Sequence, residues 1–93
     1  MTVTWAPSAR REFNEAIAYL QARSPKGARR VASAILAAIE LLEDFPHLAP
    51  PSRHRGLRQM YVVRTPHLVV YRVVGGRNVE IRAIIHVRRR RRR

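Results

Sequence analysis

Apolar residues recur along this chain with two different periods, and the change of period divides it. Over residues 9–22 the spacing is helical: Ala9, Phe13, Ala16, Ile17 and Leu20 fall on one face, with Arg10, Arg11, Asn14 and Glu15 largely off it. Pro7-Ser8 precedes this run, and Ser8 is a suitable side-chain cap for its first turn. Ser24-Pro25 marks a second start, a capping serine followed by proline at the first helical position. Ala28, Val31, Ala32, Ile35, Leu36, Ile39 and Leu42 then form a wide apolar stripe, which predicts a helix over Pro25–Asp44. Two helices joined by one or two residues must turn back as an antiparallel hairpin.

After Phe45 the helical period is lost. Residues 45–57 carry Pro46, Pro50 and Pro51, which block regular structure and predict a loop. Three β-branched, aromatic-containing runs follow, at 59–64, 68–74 and 79–87, separated by Thr65-Pro66 and by Gly75-Gly76. The double glycine supplies the positive φ angles of a tight hairpin. In the last run Val79, Ile81, Ala83, Ile85 and Val87 alternate with Glu80, Arg82, Ile84 and His86. The first set is expected to pack on the helices, which leaves Arg82 and His86 on the open face. Val3–Trp5 reads as a short edge strand. The expected order is β-α-α-β-β-β, an α+β layout with the helices segregated from a mostly antiparallel sheet that ends in a three-stranded meander. One domain is expected over residues 1–87, followed by a basic tail, 88–93, expected to be partly disordered. Strand pairing is expected to carry into Arg88 and Arg89.

Ninety-three residues suffice for one small domain with a modest core. No apolar run approaches the ~20 residues needed to cross a bilayer, and residues 1–7 lack a basic region followed by an apolar core. There are no cysteines, which excludes disulfides and thiolate metal sites and fits a cytoplasmic setting. Net charge is +13, from 19 basic and 6 acidic residues. Without the six terminal arginines 13 basic residues still face 6 acidic ones, so the body remains at +7. Only Lys26 is a lysine; the other basic residues are arginines, which fork onto phosphates and carboxylates. On the second helix the charges run against the dipole. Arg29 and Arg30 sit near its positive end, and Glu40, Glu43 and Asp44 near its negative end, at a cost of about 0.3 kcal/mol or more per charge. Compensating surface pairs are expected between those acids and Arg10 or Arg11, worth at most ~1 kcal/mol each.

No nucleotide-binding loop, metal-ligand spacing or nucleophile elbow is present. His47, His54, His67 and His86 are scattered, and no metal or cofactor is implied. One constellation remains: Arg53, His54, Arg55, Arg58, Arg64, Arg72, Arg82 and His86, with Tyr61 and Tyr71. Two readings of it stand. Arginines clamp phosphates while histidine or tyrosine moves protons, which suits metal-free RNA cleavage by the 2′-hydroxyl. Alternatively it is a basic binding face with no chemistry. Either way the run Arg88–Arg93, with Arg88 and Arg89 foremost, is assigned to affinity and not to chemistry.

The chain resembles the RelE/ParE superfamily of toxins from type II toxin–antitoxin pairs. The resemblance spans nearly the whole length. It rests on Trp5 and Ala9, the Ser24-Pro25-x-x-Ala28 helix entry, Phe45-Pro46, Gly56-Leu57-Arg58, the run from Arg64 through Pro66-His67-Leu68-Val69-Val70-Tyr71-Arg72-Val73, and Ile81-x-x-Ile84-Ile85-His86. It implies a two-helix hairpin on an antiparallel sheet and a cognate antitoxin, hence a hetero-oligomer, with the antitoxin on a sheet edge or in the helix-hairpin groove. RelE-like members cut messenger RNA in the ribosome with basic residues on the sheet; here Arg58, Arg64, Arg82 and His86 would be the catalytic candidates. ParE-like members share the fold and are associated with poisoning DNA gyrase. The tail after His86 has no tyrosine, and Gln59-Met60-Tyr61-Val62-Val63 stands where the nucleases tend to place arginine. Tyr71-Arg72 and Ile85-His86 look more ParE-like. The expected function is therefore a ParE-like toxin. Its alternatives are a ribosome-dependent endoribonuclease and a basic nucleic-acid-binding module.

Overall fold

A two-helix hairpin packs on one face of a four-stranded sheet in the computed structural model, which describes residues 2–90. The elements are β1 (Val3–Trp5), α1 (Pro7–Arg23), α2 (Pro25–Asp44), β2 (Arg58–Tyr61), β3 (His67–Val74), β4 (Asn78–His86) and a single helical turn, α3 (Val87–Arg90). Helix α2 has the predicted bounds. The Ser24 Oγ accepts the Gly27 N–H at 3.0 Å, Pro25 opens the first turn, and Ala28, Val31, Ile35, Ile39 and Leu42 are buried. Helix α1 starts differently from expectation. Ala6, not Ser8, is its N-cap, and no side chain caps it. The Ala6 N–H bonds the Ile81 carbonyl at 2.9 Å and the Ala6 carbonyl accepts the Arg10 N–H. The exit from β1 and the fixed φ of Pro7 therefore set the start, and Ser8 lies exposed inside the first turn.

The strand order is β1-β4-β3-β2. The last three strands form the predicted antiparallel meander, and β1 lies parallel to β4 with Val3 opposite Val79 and Trp5 opposite Ile81. The sheet is therefore mixed. Gly75 and Gly76, at φ 65° and 82°, turn the β3–β4 hairpin. Strand β2 ends at Tyr61, short of the predicted Arg64. Val62 is buried, Thr65 bonds back to the Val62 carbonyl, and Arg64 takes φ 64°, a left-handed conformation incompatible with a continuing strand.

The main departure lies in β4. Val70 pairs with Ala83 but Tyr71 pairs with Ile81, so Arg82 is an extra residue in a β-bulge. Everything after it changes face. Val79, Ile81 and Ile84 are in the core, whereas Ile84 was expected outside, and His86 follows Ile84 to the helix side. The Ile84 N–H donates to the Glu12 Oε1 of α1 at 2.9 Å. The core joins these residues to Ala9, Val31, Ile35, Leu42, Val69 and Tyr71. Strand pairing does not reach Arg88 or Arg89: the Val87 N–H bonds the Pro66 carbonyl at 2.8 Å and the chain enters α3. Arg91, Arg92 and Arg93, on which the expected disorder falls, lie outside the described residues.

The pairs expected for Arg10 and Arg11 do not form. Among the described residues the ion pairs are Arg72–Glu80 and Arg82–Glu80. Arg10 instead stacks over Trp5 at 4.9 Å, and Trp5 meets Phe13 edge-on at 5.5 Å. Stacking covers the indole without holding two flexible charged chains together, so it competes well with an exposed ion pair. Among the described residues no helix is long and apolar enough to cross a membrane.

Candidate functional site

Register fixes which side chains share the sheet face that the helices leave open. Gln59 and Tyr61 of β2 lie opposite Val70 and Leu68 of β3, which lie opposite Ala83 and Ile85 of β4. Arg72 lies opposite Glu80. The centre of this face is apolar, with Leu68 and Val70 both under a tenth exposed. One end is charged. Arg72 Nε donates to Glu80 Oε1 at 2.6 Å, and Arg82 Nη1 reaches the same oxygen at 3.5 Å. The Arg72 hydrogen bond, with the charges of Arg72 and Arg82, holds the Glu80 carboxyl below its ordinary pKa against a smaller opposing effect of burial. One carboxylate thus fixes two half-exposed guanidiniums and cancels one of their charges. The outward N–H groups remain available to an anionic partner.

The other candidates are spread over the molecule. Arg53 and Arg55 are exposed on the 45–57 loop. Arg58 pairs with Tyr71 across the sheet and donates to the Ala49 carbonyl on the helix side. Arg64 is in the β2–β3 turn, and its carbonyl accepts from Arg30 Nη1 at 3.4 Å. His86 faces His67 edge-on at 5.2 Å between ring centroids. These two histidines, Glu12, Glu15 and Ile84 line a pocket of about 340 Å³ between α1 and β4. Arg88 is exposed in α3, just past β4, and the Arg89 side chain is outside the described residues. The structure therefore brings Arg72 and Arg82 together and leaves Arg58, Arg64 and His86 on other surfaces. Among the described residues no cluster of three or more His, Asp or Glu is arranged to hold a metal ion.

Tyr71, a candidate proton carrier by sequence, is fully buried. Its hydroxyl donates to the Pro46 carbonyl at 2.9 Å and accepts the Ala49 N–H at 3.3 Å, tying the proline loop to the sheet. Burial pushes its phenol pKa up, opposed by the Ala49 hydrogen bond and the Arg58 charge. Two residues that organise these surfaces escaped the sequence reading. Glu80 had a signal: counting outward from the Gly75-Gly76 turn pairs Val74 with Asn78, Val73 with Val79 and Arg72 with Glu80. Glu12 had none, because its role depends on the bulge.

The apolar surface is uneven. Phe45, Leu48, Tyr61 and Val63 are all more than half exposed. A groove of about 360 Å³ runs between the 45–57 loop and β2, lined by Leu48, Pro50, Met60 and Tyr61 among others. A second, of about 520 Å³, separates the β1 edge from α2, with Trp5 and Leu36 on its walls and Glu40 and Glu43 beside them. The β2 edge is already partly covered, since the Gln59 N–H bonds the Pro50 carbonyl and the Ser52 N–H bonds the Leu57 carbonyl.

Residues 3–92 match the family model described as ParE toxin of type II toxin-antitoxin system, parDE. The protein named "Putative toxin Y4kP" of Sinorhizobium fredii (strain NBRC 101917 / NGR234) is 30% identical over 84 residues, covering 90% of this chain and 85% of its own length. A chain from the solved structure titled "Chromosomal ParDE TA system from P. aeruginosa" superposes with a TM-score of 0.83 at 21% identity, over 94% of this chain and 96% of its own. At that identity the superposition speaks for the fold. The family match covers the helix hairpin, the meander and the basic end together, and on it this chain belongs to the ParE toxin family of type II toxin–antitoxin systems.

Proposed function

We propose that this protein stops growth in the cytoplasm by binding an essential protein target, DNA gyrase, and that a cognate antitoxin neutralises it. The observation that carries the reading is the family match over residues 3–92. The dispersal of the nuclease candidates supports it. Metal-free cleavage of RNA needs a phosphate clamp and a proton carrier within hydrogen-bond reach of one phosphodiester. Arg82 is on the open face, His86 is on the α1 side, Arg58 is turned to the proline loop, and Arg64 is in a turn. Such a layout suits binding better than bond breaking. In this reading Arg53, Arg55, Arg72 and Arg82 contribute contacts to the target. The antitoxin covers apolar surface left exposed at a sheet edge or groove, where acidic side chains offset the net charge of +13.

The test is induction in cells with and without the neighbouring gene product. Growth arrest with intact messenger RNA, loss of negative supercoiling in a reporter plasmid, and rescue by the neighbour are expected. Transcripts cut at ribosome-protected codons would move the protein to the nuclease branch. Growth unaffected by induction would remove both toxin readings.

A further inference from the structure

Chain order scatters the basic residues, but the fold gathers many of them at one end. Helix α1 advances alongside β4: Ala6 bonds Ile81, Glu12 bonds Ile84, and Ala16 lies beside His86. The last turn of α1, with Arg23, therefore lies past the end of β4, level with α3 and Arg88. Helix α2 starts two residues later, after Ser24, and brings Lys26, Arg29 and Arg30 to the same end. The β2–β3 turn arrives there too, because Pro66 holds Val87 and the Arg64 carbonyl accepts from Arg30. Arg23, Lys26, Arg29, Arg30, Arg64 and Arg88 are all exposed. Six basic residues from four segments of the chain thus meet at this pole.

Among the described residues none of those six is in an ion pair. The acids lie elsewhere. Glu40, Glu43 and Asp44 end α2 at the opposite pole, Glu80 is held by Arg72 and Arg82, and the nearest acids, Glu12 and Glu15, face the His86 pocket. Arg23 stacks over the half-exposed ring of Tyr19 at 3.9 Å, a flat cationic and aromatic surface.

We propose that this pole binds the phosphate backbone of duplex nucleic acid without reading its sequence. The arginine content fits phosphate oxygens, and unpaired exposed cations on several elements release counterions without first breaking internal pairs. Exposed apolar groups are present at this end as well, Tyr19, Tyr61 and Val63, but the guanidiniums outnumber them and Arg23 covers one face of Tyr19, so phosphate is the better fit than an acidic protein surface. The inference is independent of the toxin reading, since it concerns the purified chain alone.

The probe is a fluorescein-labelled 20-base-pair DNA of arbitrary sequence, titrated by anisotropy at several NaCl concentrations. Log affinity should fall with log salt with a slope of about −4 or steeper, some several-hundred-fold loss between 50 and 200 mM. The Arg23→Gln/Lys26→Gln/Arg29→Gln variant should flatten that slope by about 2.7 units, in proportion to three lost phosphate contacts. A second variant with the same net charge, Arg10→Gln/Arg11→Gln/Arg77→Gln, should keep the wild-type slope. Both must retain the wild-type circular dichroism. Equal losses in the two variants would reduce the effect to net charge and overturn the assignment. An unchanged slope in the first variant together with lost binding to poly-L-glutamate would give the pole to an acidic protein instead.

Discussion

Tyr71 shows how one side chain can look chemical in sequence and be structural in the fold. Its ring fills the core under β3 while its hydroxyl closes two backbone groups of the proline loop. Replacing Tyr71 with Phe keeps the ring and strands the Pro46 carbonyl and the buried Ala49 N–H, which should cost about 1–3 kcal/mol in urea unfolding. The same residue sets an alkaline limit. Its phenol pKa is higher folded than unfolded, so folding favours the protonated form. That stabilisation is complete below about pH 10, the unfolded value, and is lost as pH rises through the folded one. Wild-type stability should therefore drop above about pH 10 and the Tyr71→Phe variant should drop less. Parallel pH profiles of the two proteins would show that burial of this phenol is not what sets the limit. Glu80 works the opposite way at the surface, since its depressed pKa supports the fold above the usual carboxylate range and stops doing so as pH falls through the folded value. With Arg72 and Arg82 half-exposed, that pair network is worth at most about 1 kcal/mol.

At the scale of elements, the bulge in β4 decides which groups can act together. A single extra residue, Arg82, moves Ile84 into the core and His86 to the α1 side, separating the arginine from the histidine that simple alternation would place two positions apart on one face. Just past the bulge, Glu12 of α1 accepts the Ile84 amide and ties the shifted end of β4 to the helix. Glu12→Ala should destabilise the protein by about 1–3 kcal/mol, because a nearly buried N–H then lacks its charged acceptor. The Ile84 amide should exchange with solvent distinctly faster in that variant, and an unchanged exchange rate would mean that the ladder, not Glu12, protects it. Helix α2 was legible to the residue because serine, proline and an unbroken apolar stripe agree on its start and course. The bulge was not. Ala83, Ile84 and Ile85 are all apolar, so a change of phase inside that triplet leaves no mark on the pattern. The parallel pairing of β1 was hidden for a different reason, as three residues carry too little pattern to choose a partner or a direction. Ser8 misled because a good cap was present where strand exit and proline had already started the helix.

The whole molecule is electrically lopsided, and that asymmetry has a stability consequence separate from any ligand. Six acids face 19 basic residues on a body of 40 × 30 × 24 Å, and Arg23, Lys26, Arg29, Arg30, Arg64 and Arg88 crowd one pole. Lys26 also lies in the first turn of α2, at its positive end, where an added cation is unfavourable by about 0.3 kcal/mol, and Arg29 and Arg30 follow in the next turn, where the effect is weaker. The pairs expected between the acids at the far end of α2 and Arg10 or Arg11 do not form among the described residues, so the charges that oppose the dipole at both ends stay unpaired. Screening should relieve this, because the Debye length falls from about 10 Å at 0.1 M salt to about 3 Å at 1 M. Melting temperature should thus rise with NaCl, by about 4–8 °C for each kcal/mol of repulsion removed in a domain of this size. The Arg23→Gln/Lys26→Gln/Arg29→Gln variant should melt higher than wild type at 20 mM NaCl and respond less to added salt. If it melted lower at 20 mM, these cations would be holding the fold together through contacts of their own, and their crowding at one end would reflect packing and not a surface kept ready for an anionic partner.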